Sequence, residues 1–145
     1  MKGFIMTATE IKIKQAKESH PLAPAVLRQL GGGQDAIQSA LDAAERGAYG
    51  GISGFIYYSE TCDFTKRNRK AIASAVEDMA ESLGESPIEM VKGFNCLEGS
   101  TDREVAAALY GGNRSECESF GVDQVENALA WFALEEVGNA IDGLV

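Results

Sequence analysis

Few side chains in this chain are of a type and spacing that could do chemistry. One histidine, His20, stands before Pro21, and the three cysteines are Cys62, Cys96 and Cys117. A Ser or Cys nucleophile needs a base beside it, and a single imidazole in a polar turn is a poor candidate for that partner. The Cys and His spacings match no usual zinc-ligand pairing. Glu135-Glu136 lacks the ExxH partner of a di-metal carboxylate site. Gly50-Gly51-x-x-Gly54 follows a predicted helix, not a strand, and the chain has no GxxxxGK[ST], so these glycines suit tight turns better than a phosphate cradle. The expectation is no catalytic residue, no metal ligand and no cofactor, hence not an enzyme. A small nucleotide-using enzyme built on the Gly47 to Tyr58 loop is the weakest alternative.

Charge carries more information. Thirteen Lys and Arg against 22 Asp and Glu give a net charge of −9 over 145 residues. Such a molecule repels nucleic-acid phosphates and anionic membranes, so neither is expected as a direct partner. The charges are segregated: residues 1–75 hold ten basic and seven acidic groups, residues 76–145 three and fifteen. Lys66-Arg67-Asn68-Arg69-Lys70 is the single basic cluster, read as a solvated helical face paired with acids such as Asp63. Glu77, Asp78, Glu81, Glu85 and Glu89 follow it and form the candidate partner-binding surface, with Tyr57 and Tyr58 as aromatic anchors.

The elements that must position these groups are helical. Hydrophobic residues make up 45% of the chain and charged residues 24%, ordinary for one soluble globular domain over 1–145. Thr7-Ala8-Thr9-Glu10 has the form of a capping box and predicts a helix over about 8–19 in preference to a strand through Ile11 and Ile13. Pro24 opens a short helix stopped by Gly31-Gly32-Gly33, and 34–46 carries one apolar stripe, Ile37, Ala40, Leu41 and Ala44. Residues 52–58, rich in aromatic and β-branched types, predict a short extended segment.

A long polar helix over 60–83 is expected, capped by Ser59 or Thr61, with Phe64, Ile72, Val76, Met79 and Leu83 inward. Its charges run against the macrodipole: basic groups lie in its first half and Glu77, Asp78 and Glu81 in its last turns. A surface arranged against local stability is where a partner belongs. Pro87 opens a further helix carrying Ile88, Val91 and Leu97, disturbed at Gly93. Thr101-Asp102-Arg103-Glu104 is a second capping box. From Asp123 the run Ala128-Leu129-Ala130-Trp131-Phe132-Ala133-Leu134 is apolar on every face and predicts the centre of the core. The fold class expected is mainly α, a compact bundle of about six helices.

The odd cysteine count without CxxC argues for reduced thiols. Met1-Lys2-Gly3-Phe4-Ile5-Met6 is too short an apolar run for a signal peptide, and no stretch approaches the roughly 20 residues of a membrane span.

The stretch from Gly47 through Gly54-Phe55-Ile56-Tyr57-Tyr58 to Cys62-Asp63-Phe64, together with Gly93-Phe94-Asn95-Cys96-Leu97 and Asn127 to Val137, resembles a family of small proteins encoded by bacteriophages and mobile elements. That resemblance implies a setting, the cytoplasm of a bacterial host, and no residue roles. Small acidic phage proteins are similar as a class to inhibitors of host defence, including anti-CRISPR and anti-restriction proteins. The function expected is therefore a non-enzymatic inhibitor whose acidic helical face competes with nucleic acid for the basic groove of a host defence complex, such as a CRISPR effector. The alternatives are a self-associating phage accessory protein and an anti-restriction DNA mimic, and the oligomeric state is open between monomer and dimer.

Overall fold

The described residues form six helices and no strand, so the protein is mainly α as its patterning implies. The computed structural model describes residues 14–15, 17–29, 58–94, 97, 99–112 and 119–142. The expected helix over 34–46, residues 52–57 of the expected extended segment, and Ile11 and Ile13 lie outside them; residue 58, the last of that segment, is helical instead. The helices are α1 (Ala23–Gln29), α2 (Tyr58–Arg67), α3 (Arg69–Leu83), α4 (Pro87–Lys92), α5 (Asp102–Tyr110) and α6 (Ser119–Asp142). Lys14, Gln15, Lys17 and Glu18 are also helical, as the capping-box reading expects.

The chain divides into two compact units, Met1–Ile56 with Leu134–Val145, and Tyr57–Ala133. In the first, Leu22 and Val26 of the α1 region and Leu134 and Val137 of α6 are fully buried. The His20 carbonyl accepts from Ala23 N–H at 2.9 Å and its Nδ1 from Leu22 N–H at 3.0 Å, so this imidazole helps to start α1. Its Nε2 lies 3.7 Å from Glu136 Oε1.

In the second unit α3, α4 and α5 pack on one another and α2 on α3. Phe64, Ile72, Val76, Leu97, Leu109 and Leu129 are at most 1% exposed. Each such side chain contributes roughly 1.5–3 kcal/mol on burial. The apolar run of α6 is mostly buried, with Leu129, Ala130, Phe132 and Ala133 inside and Phe132 stacked on Phe94 at 5.5 Å, but Ala128 and Trp131 are half-buried, so the run is not enclosed on every face as its pattern predicts.

Four expectations fail here, each for a local reason. The helix over 60–83 is two helices, because Asn68 leaves helical geometry (φ −118°, ψ 22°). Its side-chain Nδ2 and its backbone N–H both donate to the Phe64 carbonyl, the competition that makes Asn a helix breaker. The break puts Lys66 and Arg67 in the last turn of α2, where cations suit the dipole. Thr61 is no cap but a buried residue inside α2. Leu83 lies on the predicted stripe yet overhangs the end of the core and is 61% exposed. The Pro87 helix ends at Lys92, since Gly93 N–H closes on the Glu89 and Met90 carbonyls, and Leu97 is buried from a turn.

Candidate functional site

Local chain signals build the acidic face. The α3 helix ends in a Schellman turn: Glu85 N–H donates to the Ala80 carbonyl at 2.9 Å and Gly84 N–H to that of Glu81 at 3.2 Å. Gly84 takes φ +71°, open to glycine and strained for other residues, and so turns the chain sharply into α4. Ser86 then caps α4 by accepting from Glu89 N–H at 3.1 Å. Glu77, Asp78, Glu81, Glu85 and Glu89 are all exposed. Glu77 and Glu81 share one helical face by their four-residue spacing.

These carboxylates differ in employment. Glu89 sits in the first turn of α4, where the dipole favours it, and 3.8 Å from Lys92 Nζ. Lys92 itself bonds Asp102 at 2.8 Å, which raises its pKa. Glu77, Asp78, Glu81 and Glu85 form no ion pair with a described Lys or Arg. The basic cluster does not neutralise them. Lys66 and Arg67 are exposed at the end of α2 and Lys70 at the start of α3, while Arg69 turns inward. The α3 helix has no acid in its first turn and no base in its last, so the unfavourable order of charge persists there.

Two large hydrophobics accompany the acids: Leu83, between Glu81 and Glu85 in sequence, and Tyr110 at the end of α5, 49% exposed. Burial, then the charge of Glu77, push the Tyr110 phenol above its ordinary pKa. Sequence reasoning missed both, taking Leu83 as core and passing over Tyr110. The signal available was position: each is an apolar residue one place before a helix-ending glycine. Of the anchors expected, Tyr57 lies outside the described residues. Tyr58 opens α2, with its side chain outside the description.

A second cluster was not foreseen at all. Thr61, Cys62 and Thr65 of α2 face Asp123, Glu126 and Asn127 of α6. The Thr61 hydroxyl donates to Asn127 Oδ1 at 2.6 Å, the Cys62 thiol to the Asp123 carbonyl at 3.3 Å, and the Thr65 hydroxyl to the Glu126 carbonyl at 2.6 Å. Glu126 is fully buried, its Oε2 3.3 Å from Arg69 Nη2. Arg69 also donates to the carbonyls of Ala107 and Ala108, closing the C-terminal end of α5. Burial, then the charges of Asp123 and Glu126, push the Cys62 thiol above its ordinary pKa. Donor atoms of Cys62, Asp123 and Glu126 lie within 4.8 Å of one another. A divalent ion there would have to displace the thiol proton and compete with Arg69 for Glu126. The arrangement is suited to locking α2, α3, α5 and α6 together.

Among the described residues, fold and site thus define a class: a small, mainly α protein with a hydrogen-bonded polar cluster inside and an exposed acidic series not paired to a described Lys or Arg. Among the described residues, no helix is long and apolar enough to cross a membrane. Residues 23–142 match the family described as a domain of unknown function, DUF7222, and the chain belongs to that family. No curated protein and no solved structure matches it.

Proposed function

We propose that this protein is a non-enzymatic binder that lays its acidic α3–α4 face on a Lys/Arg-lined groove of a bacterial nucleic-acid-handling complex, in the manner of an anti-CRISPR inhibitor, and so competes with nucleic acid. The observation that carries the reading is the set Glu77, Asp78, Glu81 and Glu85, exposed and without ion pairs to described Lys or Arg. Carboxylates in that state attract cations at long range and speed encounter with a cationic surface.

The test is competition. Purified protein is titrated into defence complexes holding labelled guide or target nucleic acid, and release is followed by anisotropy. Release by the native chain, lost in Glu77→Lys/Glu81→Lys and weakened by salt, supports the reading. Equal release by native and reversed chains removes it.

A further inference from the structure

The fold uses its one histidine as a hydrogen-bond acceptor for the backbone. Leu22 N–H donates to His20 Nδ1 at 3.0 Å and Ala23 N–H to the His20 carbonyl at 2.9 Å, so side chain and main chain together turn the chain through Pro21 into α1. Nδ1 is bonded to the ring Cγ, as the oxygen of asparagine is to its own Cγ, and it does here what that oxygen does at a turn or helix start. An acceptor needs a lone pair. The bond therefore requires the neutral imidazole with its proton on Nε2, the nitrogen 3.7 Å from Glu136 Oε1 of α6.

Protonation exchanges one contact for the other. An imidazolium has two N–H donors and no acceptor, so no rotation of the ring keeps the Leu22 bond. The added charge turns the Glu136 approach, too long for a hydrogen bond, into an ion pair. Among the described residues Glu136 is the charged group within ion-pair reach of the ring; Lys17 and Glu18 on the chain before it, and Glu135 next to Glu136, are exposed. The His20 side chain is 19% exposed and open to solvent protons, whereas Leu22 is fully buried and its N–H is cut off from water. Every group involved belongs to one compact unit, Met1–Ile56 with Leu134–Val145, which does not contain the acidic face.

We infer that His20 is a proton-operated latch on the start of α1: neutral, it holds Leu22 N–H; protonated, it releases that group and is held by Glu136 instead. Histidine ordinarily changes charge between about pH 5 and 8, the range in which such a latch is of use.

The isotope-labelled full chain is followed by NMR from about pH 8 to about pH 5. In the neutral ring the nitrogen shifts should place the proton on Nε2, and Leu22 N–H should be protected from exchange. As the ring titrates, Leu22 protection, corrected for the intrinsic pH dependence of exchange, should fall at least about tenfold while Leu129 in the core keeps its own. His20→Asn keeps an acceptor that does not titrate and should hold Leu22 protected throughout; His20→Ala should leave it unprotected throughout. A neutral ring with its proton on Nδ1, or Leu22 protection that stays level while the ring titrates, overturns the inference. An equal acid fall in His20→Asn does so too, because another group would then be the sensor. In Glu136→Gln the ring resonances at the acid end should shift, and unchanged ones overturn the part given to Glu136.

Discussion

Arg69 and Glu81 stand near opposite ends of one fifteen-residue helix, and the fold treats their charges in opposite ways. Arg69 is drawn inward, where its guanidinium serves the Ala107 and Ala108 carbonyls and the buried Glu126 carboxylate. Glu81 and its neighbours Glu77 and Asp78 are left in solvent at the negative end of the dipole, with no described Lys or Arg paired to them. At the first end the charge of Arg69 has a structural use. The second tolerates an arrangement that is unfavourable by up to about 1 kcal/mol per charge. The difference separates a charge that the fold holds from charges that it leaves in solvent.

The comparison breaks most sharply at Arg69. Arg69→Met leaves a fully buried carboxylate without its guanidinium and the end of α5 without its donor. Losing one partner of a buried pair is expected to cost about 3–5 kcal/mol, read as a lower urea midpoint at constant slope. Arg69→Met with Glu126→Leu should regain most of that loss, because the desolvated charge is gone as well. A single substitution without effect on the midpoint would mean that the pair is not the lock described here.

Gly121 comes next. A Cβ on this residue of α6 would fall 1.6 Å from Glu104 Oε2. Glu104 is held there because its other oxygen accepts from Thr101 N–H at 2.8 Å, the returning half of the capping box that starts α5. Gly121→Ala must push the carboxylate off that hydrogen bond, for an expected loss of about 1–2 kcal/mol. Glu104→Ala should lose a similar amount alone and little more when combined with Gly121→Ala, which a double-mutant cycle reads directly.

How much of this was legible beforehand follows from what each residue answers to. Caps and glycines act on their own neighbours, so the Thr101 box, the Gly84 and Gly111 stops and the Pro87 start could be read in the chain. Asn68 also acts locally, but it lay inside a run whose apolar spacing continued through it, and the period hid the break. The acidic run was legible as a series because consecutive helices keep it on consecutive turns. The buried cluster was not, because Cys62 meets Asp123 and Arg69 meets Glu126 only through tertiary packing. One trace existed: Val122, Val125 and Leu129 set a three-and-four stripe on which Glu126 also falls, and a carboxylate on such a stripe must find a cation.

The Cys62 thiol gives a pH test confined to the buried side. Burial and the two nearby carboxylates favour its neutral form in the folded chain, so the folded pKa lies above the ordinary 9.0. A raised folded pKa means that the native state holds the proton more tightly than the unfolded chain. The stabilisation is therefore complete below pH 9 and falls away as pH rises through the folded pKa. Cys62→Ala should flatten that alkaline fall in urea midpoints while leaving the neutral range nearly level. An identical alkaline profile in the variant would mean that other groups, Lys92 among them, set the slope.

The smallest effect has the most telling sign. In Glu77→Lys/Glu81→Lys each new cation lies toward the C-terminal end of α3, where the dipole favours it, and the Glu77/Glu81 repulsion is replaced by a similar one between lysines. With no described ion pair to break, the variant should be as stable as the native chain or more so, by about 0.3–1 kcal/mol at low salt, with the gain fading as salt screens it. Substitutions in a face kept for stability lower the midpoint, as at Arg69. A raised midpoint joined to loss of binding would place the carboxylates among residues retained against folding stability. A lowered one would reveal a structural duty for them and remove the contrast between the two ends of α3.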